Sequence, residues 1–235
     1  VWDTTDRTSP TSVPGFGSGV QDVVVNSDTT CALKNGLVSC WGTNTHGEVG
    51  VGSAVTSFSS PQNVIGGGVT AIYASALSVM CADVLGSIKC WGLGASGRLG
   101  TGSTADATVP TTITGGGAGY VSFADSPFMN HACALRAGAL DCWGLNASRQ
   151  LGDGTTANSS SPLNLLVSGS SATGVFAAAK TPSSTCILQD GAVRCWGSNA
   201  SGALGDGSGT NSSTPVSVVG FSSGATGLFG GLNAY

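Results

Sequence analysis

Eight cysteines, two histidines and twelve acidic residues are the groups in this chain whose types could do chemistry. The cysteines form four pairs of identical spacing: Cys31 and Cys40, Cys81 and Cys90, Cys133 and Cys142, Cys186 and Cys195. Zinc sites usually hold cysteines two to four residues apart, with histidine or further cysteine nearby. Here eight residues separate each pair, and His46 and His131 occupy non-equivalent places. Disulfide pairing is the chemistry this spacing suits. The one glutamate, Glu48, and eleven aspartates are scattered, and neither histidine has a sequence context resembling a catalytic triad. Asp153 and Asp206 share a position where the other copies have Val51 and Thr101, which marks them as turn formers. The expectation is a non-enzyme with no cofactor and no metal.

The elements that must position the cysteines are repeats. The stretch Cys31–Gly52, CALKNGLVSCWGTNTHGEVGVG, returns from Cys81, Cys133 and Cys186, its first cysteines 50, 52 and 53 residues apart. Such a period means stacked supersecondary units that need neighbours to bury their faces. Asn35-Gly36 is the signal for a two-residue type I′ turn. Counting outward pairs Lys34 with Leu37, Leu33 with Val38, Ala32 with Ser39 and Cys31 with Cys40. That places the cysteines at a non-hydrogen-bonded site, where side chains approach closest. The same count works about Leu85-Gly86, Ala137-Gly138 and Asp190-Gly191. All eight cysteines are then used.

Trp41, Trp91, Trp143 and Trp196 each follow a second cysteine, so each ring points to the face opposite the disulfide. A sheet apolar on both faces has to be sandwiched, and these tryptophans are expected in the repeat core. Asp83 breaks the apolar pattern opposite Ile88, suggesting a looser second unit or an edge near solvent. Beyond each tryptophan, glycines at fixed offsets up to Gly52, Gly102, Gly154 and Gly207 argue for tight turns and close backbone packing. A phosphate-cradling loop would need a following Lys-Ser/Thr and a strand–loop–helix context.

The unit C-A-L-x-x-G-x-V-x-C-W-G-x-N-x-x-G-x-L-G-x-G resembles the regulator of chromosome condensation repeat, in the cysteine-bearing form of bacterial extracellular proteins. The resemblance covers nearly the whole chain. It implies an all-β fold, a β-propeller-type repeat array of four-stranded antiparallel blades, typically seven of them. This chain departs in having four full repeats. Nuclear members act on chromatin and a small GTPase, a role that does not suit an acidic, disulfide-bearing chain.

The expected organisation is one array over 1–235. Residues 1–15 end a preceding repeat, 16–65, 66–115, 116–168 and 169–220 are the full repeats, and 221–235 start a further one. Thr8–Val13 matches the last strands around Pro61, Pro110, Pro162 and Pro215, while Trp2 has no counterpart among the repeat tryptophans. First strands are expected at Val20–Asn26, Val69–Ser75, Tyr120–Ser126 and Val175–Lys180, small and apolar as in a crowded centre. Thr226–Phe229 matches Thr173–Phe176. Ser53–Ser60 and Thr155–Ser161 read as surface loops. An array with ends of this kind leaves sheet edges and apolar blade faces to be covered. Other copies, or the rest of a longer polypeptide, would cover them.

Charged residues make up 9% of the chain and the net charge is −4, which argues against nucleic-acid binding, since that needs a clustered basic surface. Cysteine usage points to an oxidising compartment, extracellular or at the cell surface. There is no charged-then-apolar leader, as expected of a processed chain or a fragment, and no apolar run long enough to span a membrane. Asn146-Ala147-Ser148, Asn158-Ser159-Ser160, Asn199-Ala200-Ser201 and Asn211-Ser212-Ser213 fit the glycosylation sequon. The function expected is that of a secreted structural protein that self-associates into a ring, tube or filament. One alternative is a protein- or glycan-binding module, for which Phe58, Phe128 and Met129 are candidate loop contacts. The other is a glycan-processing enzyme with a site assembled from loops.

Overall fold

Each cysteine pair is closed by a tight turn, and the turn sets the register of its blade. The structure, a computed structural model, describes residues 9, 11–75, 77–115, 119–123, 130–136, 138–166, 171–177 and 183–228. Asn35 and Gly36 (φ 53° and 75°), Leu85 and Gly86 (54° and 83°) and Asp190 and Gly191 (53° and 74°) all lie in the left-handed region. Two successive residues of that kind match the right-handed twist of the flanking strands. In the first hairpin Lys34 faces Leu37, Leu33 faces Val38, Ala32 faces Ser39 and Cys31 faces Cys40. Equivalent registers hold in the other three.

Four antiparallel four-stranded sheets result. Blade 1 is β1 (Val20–Val25), β2 (Thr29–Lys34), β3 (Leu37–Thr43) and β4 (Ser57–Ile65). Blade 2 is β5 (Val69–Ser75), β6 (Val79–Val84), β7 (Ser87–Gly92) and β8 (Ala107–Thr112). Blade 3 is β9 (Tyr120–Phe123), β10 (His131–Arg136), β11 (Ala139–Gly144) and β12 (Ser159–Leu166). Blade 4 is β13 (Ala172–Ala177), β14 (Ser184–Gln189), β15 (Ala192–Gly197) and β16 (Ser212–Ser217). Within each sheet the strands lie in chain order, and first strands meet between blades, β1 against β5 and β9 against β13.

Burial follows from this layering. The middle hairpins carry most of the core, including Leu33, Val38, Ile88, Leu135, Leu140 and Ile187. Fourth strands such as β4 and β16 are half-buried or exposed along their length.

Several boundaries differ from those expected. β4 and β12 begin at Ser57 and Ser159, inside segments expected as loops, because bonds to the preceding strand continue past a bulge. β13 begins at Ala172, three residues before the expected Val175, since Ala172 still pairs with Gln189. The expected ends of the first strands at Ser126 and Lys180 lie outside the described residues, as do Trp2, Phe128 and Met129. The first strand of blade 1 is not crowded: Val23 and Val25 are 52% and 61% exposed. Asp83 is half-buried in blade 2. Its Oδ1 accepts the Gly86 N–H at 2.6 Å and so caps the hairpin turn.

Candidate functional site: the blade joints and the face of blade 4

Alternation along β3, β7, β11 and β15 sends each tryptophan to the face opposite its disulfide. The structure holds disulfides between Cys31 and Cys40, Cys81 and Cys90, Cys133 and Cys142, and Cys186 and Cys195. Trp91, Trp143 and Trp196 are almost completely buried, and each is the key of a joint to the preceding blade. Trp91 Nε1 donates to the Glu48 carbonyl at 2.8 Å, Trp143 to Arg98 at 3.1 Å and Trp196 to Gln150 at 2.9 Å. The indole lies on the next glycine. A Cβ at Gly50, Gly100 or Gly152 would stand 2.8, 2.7 or 2.5 Å from the indole nitrogen. A second contact seals the joint: Gly52, Gly102 and Gly154 donate N–H to Thr108, Ser160 and Ser213 on the next blade's fourth strand, each at 2.8 Å. The glycine block is therefore a socket for the neighbouring blade.

An asparagine shapes the socket. Asn44, Asn146 and Asn199 accept the N–H of Val49, Leu151 and Leu204 at 2.9 Å, holding those fully buried side chains inward. Their amide nitrogens donate across the loop, Asn146 to Asp153 and Asn199 to Asp206. Burial acts to raise the Asp153 carboxyl, but hydrogen bonds from Thr155 and Asn146 outweigh it and hold it below the ordinary value. The Ser208 N–H and hydroxyl lower Asp206 likewise. Both aspartates brace turns. Blade 2 has Gly94 where the others have asparagine, because a Cβ there would stand 1.9 Å from the Ala105 carbonyl. Asn146 and Asn199, with 0% and 1% exposure and bonded amides, have no room for a glycan in the folded protein. Asn158 and Asn211 are exposed.

Blade 4 carries the same socket half. Leu204 is fully buried, Gly205 follows it, and Ala203 stands where Glu48, Arg98 and Gln150 offer their carbonyls. A cavity of ≈ 700 Å³ opens over it, lined by Cys186, Leu204, Gly205, Val218, Phe221 and Leu228 among others. A Cβ at Gly47 or Gly97 would meet next-blade backbone at 2.6 or 2.5 Å, whereas one at Gly202 meets nothing within 4 Å. Ala225 N–H donates to the Gly191 carbonyl (2.9 Å), as Val69 does to Gly36 and Gly119 to Gly86 (both 3.1 Å). Residues 225–228 thus lie where a further first strand would start. At the opposite end Trp41 is half-buried and packs on Phe16, with ring centroids 5.7 Å apart. The Phe16 N–H bonds to Val13 as that of Phe221 does to Val218.

The remaining candidates are not brought together. His46 Nδ1 pairs with Asp106 Oδ2 at 2.8 Å on the surface, tying the loops of blades 1 and 2. Glu48 is buried, its carboxylate accepting the His46 N–H at 2.8 Å. His131, on blade 3, is buried at the joint to blade 4, with Nε2 2.9 Å from Thr185 Oγ1. Phe58 is not a loop contact but a half-buried β4 residue packed on the core. Among the described residues no group of three or more His, Cys, Asp or Glu could hold a metal ion. No helix among them is long and apolar enough to cross a membrane.

A buried polar cluster in blade 3 has no counterpart among the sequence expectations. Asp141 accepts the Tyr120 hydroxyl at 2.8 Å and Asn164 Nδ2 at 3.2 Å, with Arg136 Nη2 at 3.4 Å. Burial, then the bond to Asp141, pushes the Tyr120 phenol above its ordinary value. The available signal was an acid at a strand position that holds Ser39, Lys89 and Arg194 in the other repeats.

No family model matches the chain. Among solved structures it is similar to human WBSCR16, with 21% identity, a TM-score of 0.67, and 87% of this chain covering 54% of that one. It is also similar to Prp20p from Saccharomyces cerevisiae, described with its binding properties to Gsp1p and histones. There the identity is 19% and the TM-score 0.68, with 89% of this chain covering 53% of that one. The chain thus spans about half the length of these structures. The likeness shows the fold: an all-β, propeller-type repeat array of four-stranded antiparallel sheets.

Proposed function

We propose that the chain is a non-enzymatic structural repeat module of the extracellular space or cell surface. Its end blades join further blades, from other copies or from adjoining parts of a longer chain, into a ring, tube or filament. The observation that carries this is the socket on blade 4. It repeats the half of a joint that three other blades already fill, with the cavity over Leu204 and Gly205 facing outward. Four disulfides in four hairpins suit an oxidising compartment. The protein binding described for Prp20p supports protein recognition as a use of this fold. A net charge of −4 points to partners other than nucleic acid.

The test is solution mass by light scattering at micromolar concentration, with and without reductant, followed by electron microscopy. A large regular assembly in non-reducing buffer is expected, with a lower mass after reduction. A monomer of 22.9 kDa under both conditions would overturn self-association.

A further inference from the structure

The structure buries the first asparagine of two glycosylation sequons and exposes that of the other two, Asn158 and Asn211. Asn158 lies on blade 3, which has blades 2 and 4 beside it, so its exposure is not that of an uncovered blade face. Its Oδ1 accepts the Asn146 N–H at 2.8 Å and closes the loop between β11 and β12. In blade 2 Asp106 does the same, its Oδ1 accepting the Gly94 N–H at 2.8 Å. A hydroxyl residue follows two positions on in both blades, Thr108 and Ser160. A carboxylate is therefore enough to brace this loop. Asparagine adds an amide nitrogen, and Asn158 Nδ2 has no hydrogen-bond partner among the described residues.

We propose that Asn158 carries an asparagine-linked glycan in the folded protein. The donor is an oligosaccharide on a lipid pyrophosphate. The bond from C1 of its first sugar to the pyrophosphate oxygen breaks and C1 bonds to Asn158 Nδ2. One amide proton passes to a base of the transferase, and the lipid pyrophosphate leaves with the bonding pair. Oδ1 keeps its bond to Asn146, so the loop stays braced. Blade 2 shows the room for a ring at this place. The Asp106 atom that corresponds to Nδ2 is Oδ2, and the His46 ring of the preceding blade sits on it at 2.8 Å, with the two side chains 41% and 38% exposed. For blade 3 the preceding blade has Ser96 where His46 would stand, so the first sugar takes the place of that ring. Asn146 is the internal control in the same loop: it is 0% exposed, with its amide nitrogen bonded to Asp153 at 3.0 Å. The inference rests on the reading that the chain belongs to an oxidising, extracellular compartment.

The test is to secrete the full chain from a cell line that performs asparagine-linked glycosylation and to map the folded product by mass spectrometry. Release of glycans with an amidase in heavy-oxygen water converts each modified asparagine to a mass-labelled aspartate. Label is expected at Asn158 and not at Asn146. Asn158→Asp, which keeps the brace as Asp106 does, should lower the mass of the intact protein by one glycan. An unlabelled Asn158, label at Asn146 in the folded protein, or an intact mass that keeps every glycan in Asn158→Asp overturns the proposal. A thiol count on the same sample separates the two readings. Closed disulfides with an unlabelled Asn158 overturn the glycan site and leave the oxidising compartment standing. Free thiols with a labelled Asn158 support the site and remove the oxidising compartment.

Discussion

Acidification should loosen the joint between blades 3 and 4, and His131 is the reason. The Thr185 hydroxyl donates to the Gln150 carbonyl at 2.7 Å, so its oxygen must accept from His131 Nε2. The imidazole is then neutral with its proton on Nε2, and Nδ1 has no hydrogen-bond partner among the described residues. Among the described residues a second proton would find no acceptor and no opposing charge. Burial alone pushes His131 down from 6.5 to about 4. Among the described residues no charged group on the elements packed against it, β14 and the Gln150 loop among them, offsets that. Because the native value is the lower one, the unfolded chain takes up a proton first as pH falls. Stability is therefore full above about pH 7 and declines through the window from 6.5 to 4. At about 1.4 kcal/mol per pH unit, the loss is about 2 kcal/mol at pH 5 and about 3 kcal/mol at pH 4. The assay is denaturant unfolding at pH 7.5 and pH 5 of the wild type and of His131→Val, since blade 2 has Val79 at this strand position. Other titrating groups contribute equally to both proteins and cancel in the difference. The variant should lose about 2 kcal/mol less between the two pH values. An identical pH dependence in the two proteins would refute the reasoning.

The joints make three further predictions. Trp143→Ala should cost about 4 kcal/mol in denaturant unfolding, because it empties a fully buried site; Trp143→Phe should cost less but still leave the Arg98 carbonyl without its 3.1 Å partner. Gly100→Ala and Gly154→Ala share positive φ values of 70° and 84°. Only the first drives a Cβ to 2.7 Å from an indole nitrogen, whereas the second has open space. Gly154→Ala should therefore lose only about 1–2 kcal/mol from backbone strain, and Gly100→Ala clearly more by the same thermal or denaturant melt. Finally, thiol titration of the denatured, non-reduced protein should find no free thiol. Opening one ring by Cys133→Ser with Cys142→Ser should cost at most about 2–3 kcal/mol, because the turn already specifies the register.

What could be read from the chain alone was what is local. A two-residue turn at Asn35-Gly36 leaves one antiparallel register within reach of short-range hydrogen bonds, so the facing of Cys31 and Cys40 follows by counting. The alternation of side chains likewise places each tryptophan across from its disulfide, and fourfold recurrence makes the blade the unit. The expected close packing at the glycine block was also legible, since repeated glycines announce that something approaches the backbone. What approaches was not. The partner of Gly50 is Trp91 and that of Glu48's carbonyl is the same indole, a contact across 43 residues that no local pattern encodes. Phe58 looked like a loop aromatic because bulges let β4 run on past its regular pairing. Asp83 breaks the apolar pattern in sequence because its turn bond lies three residues away, and the burial of His131 comes from the neighbouring blade, which its own repeat does not announce. Sequence determined the hairpins, because their energetics are settled within a dozen residues. Tertiary structure decided the sockets, because a blade's two faces acquire meaning only from the blade beside them.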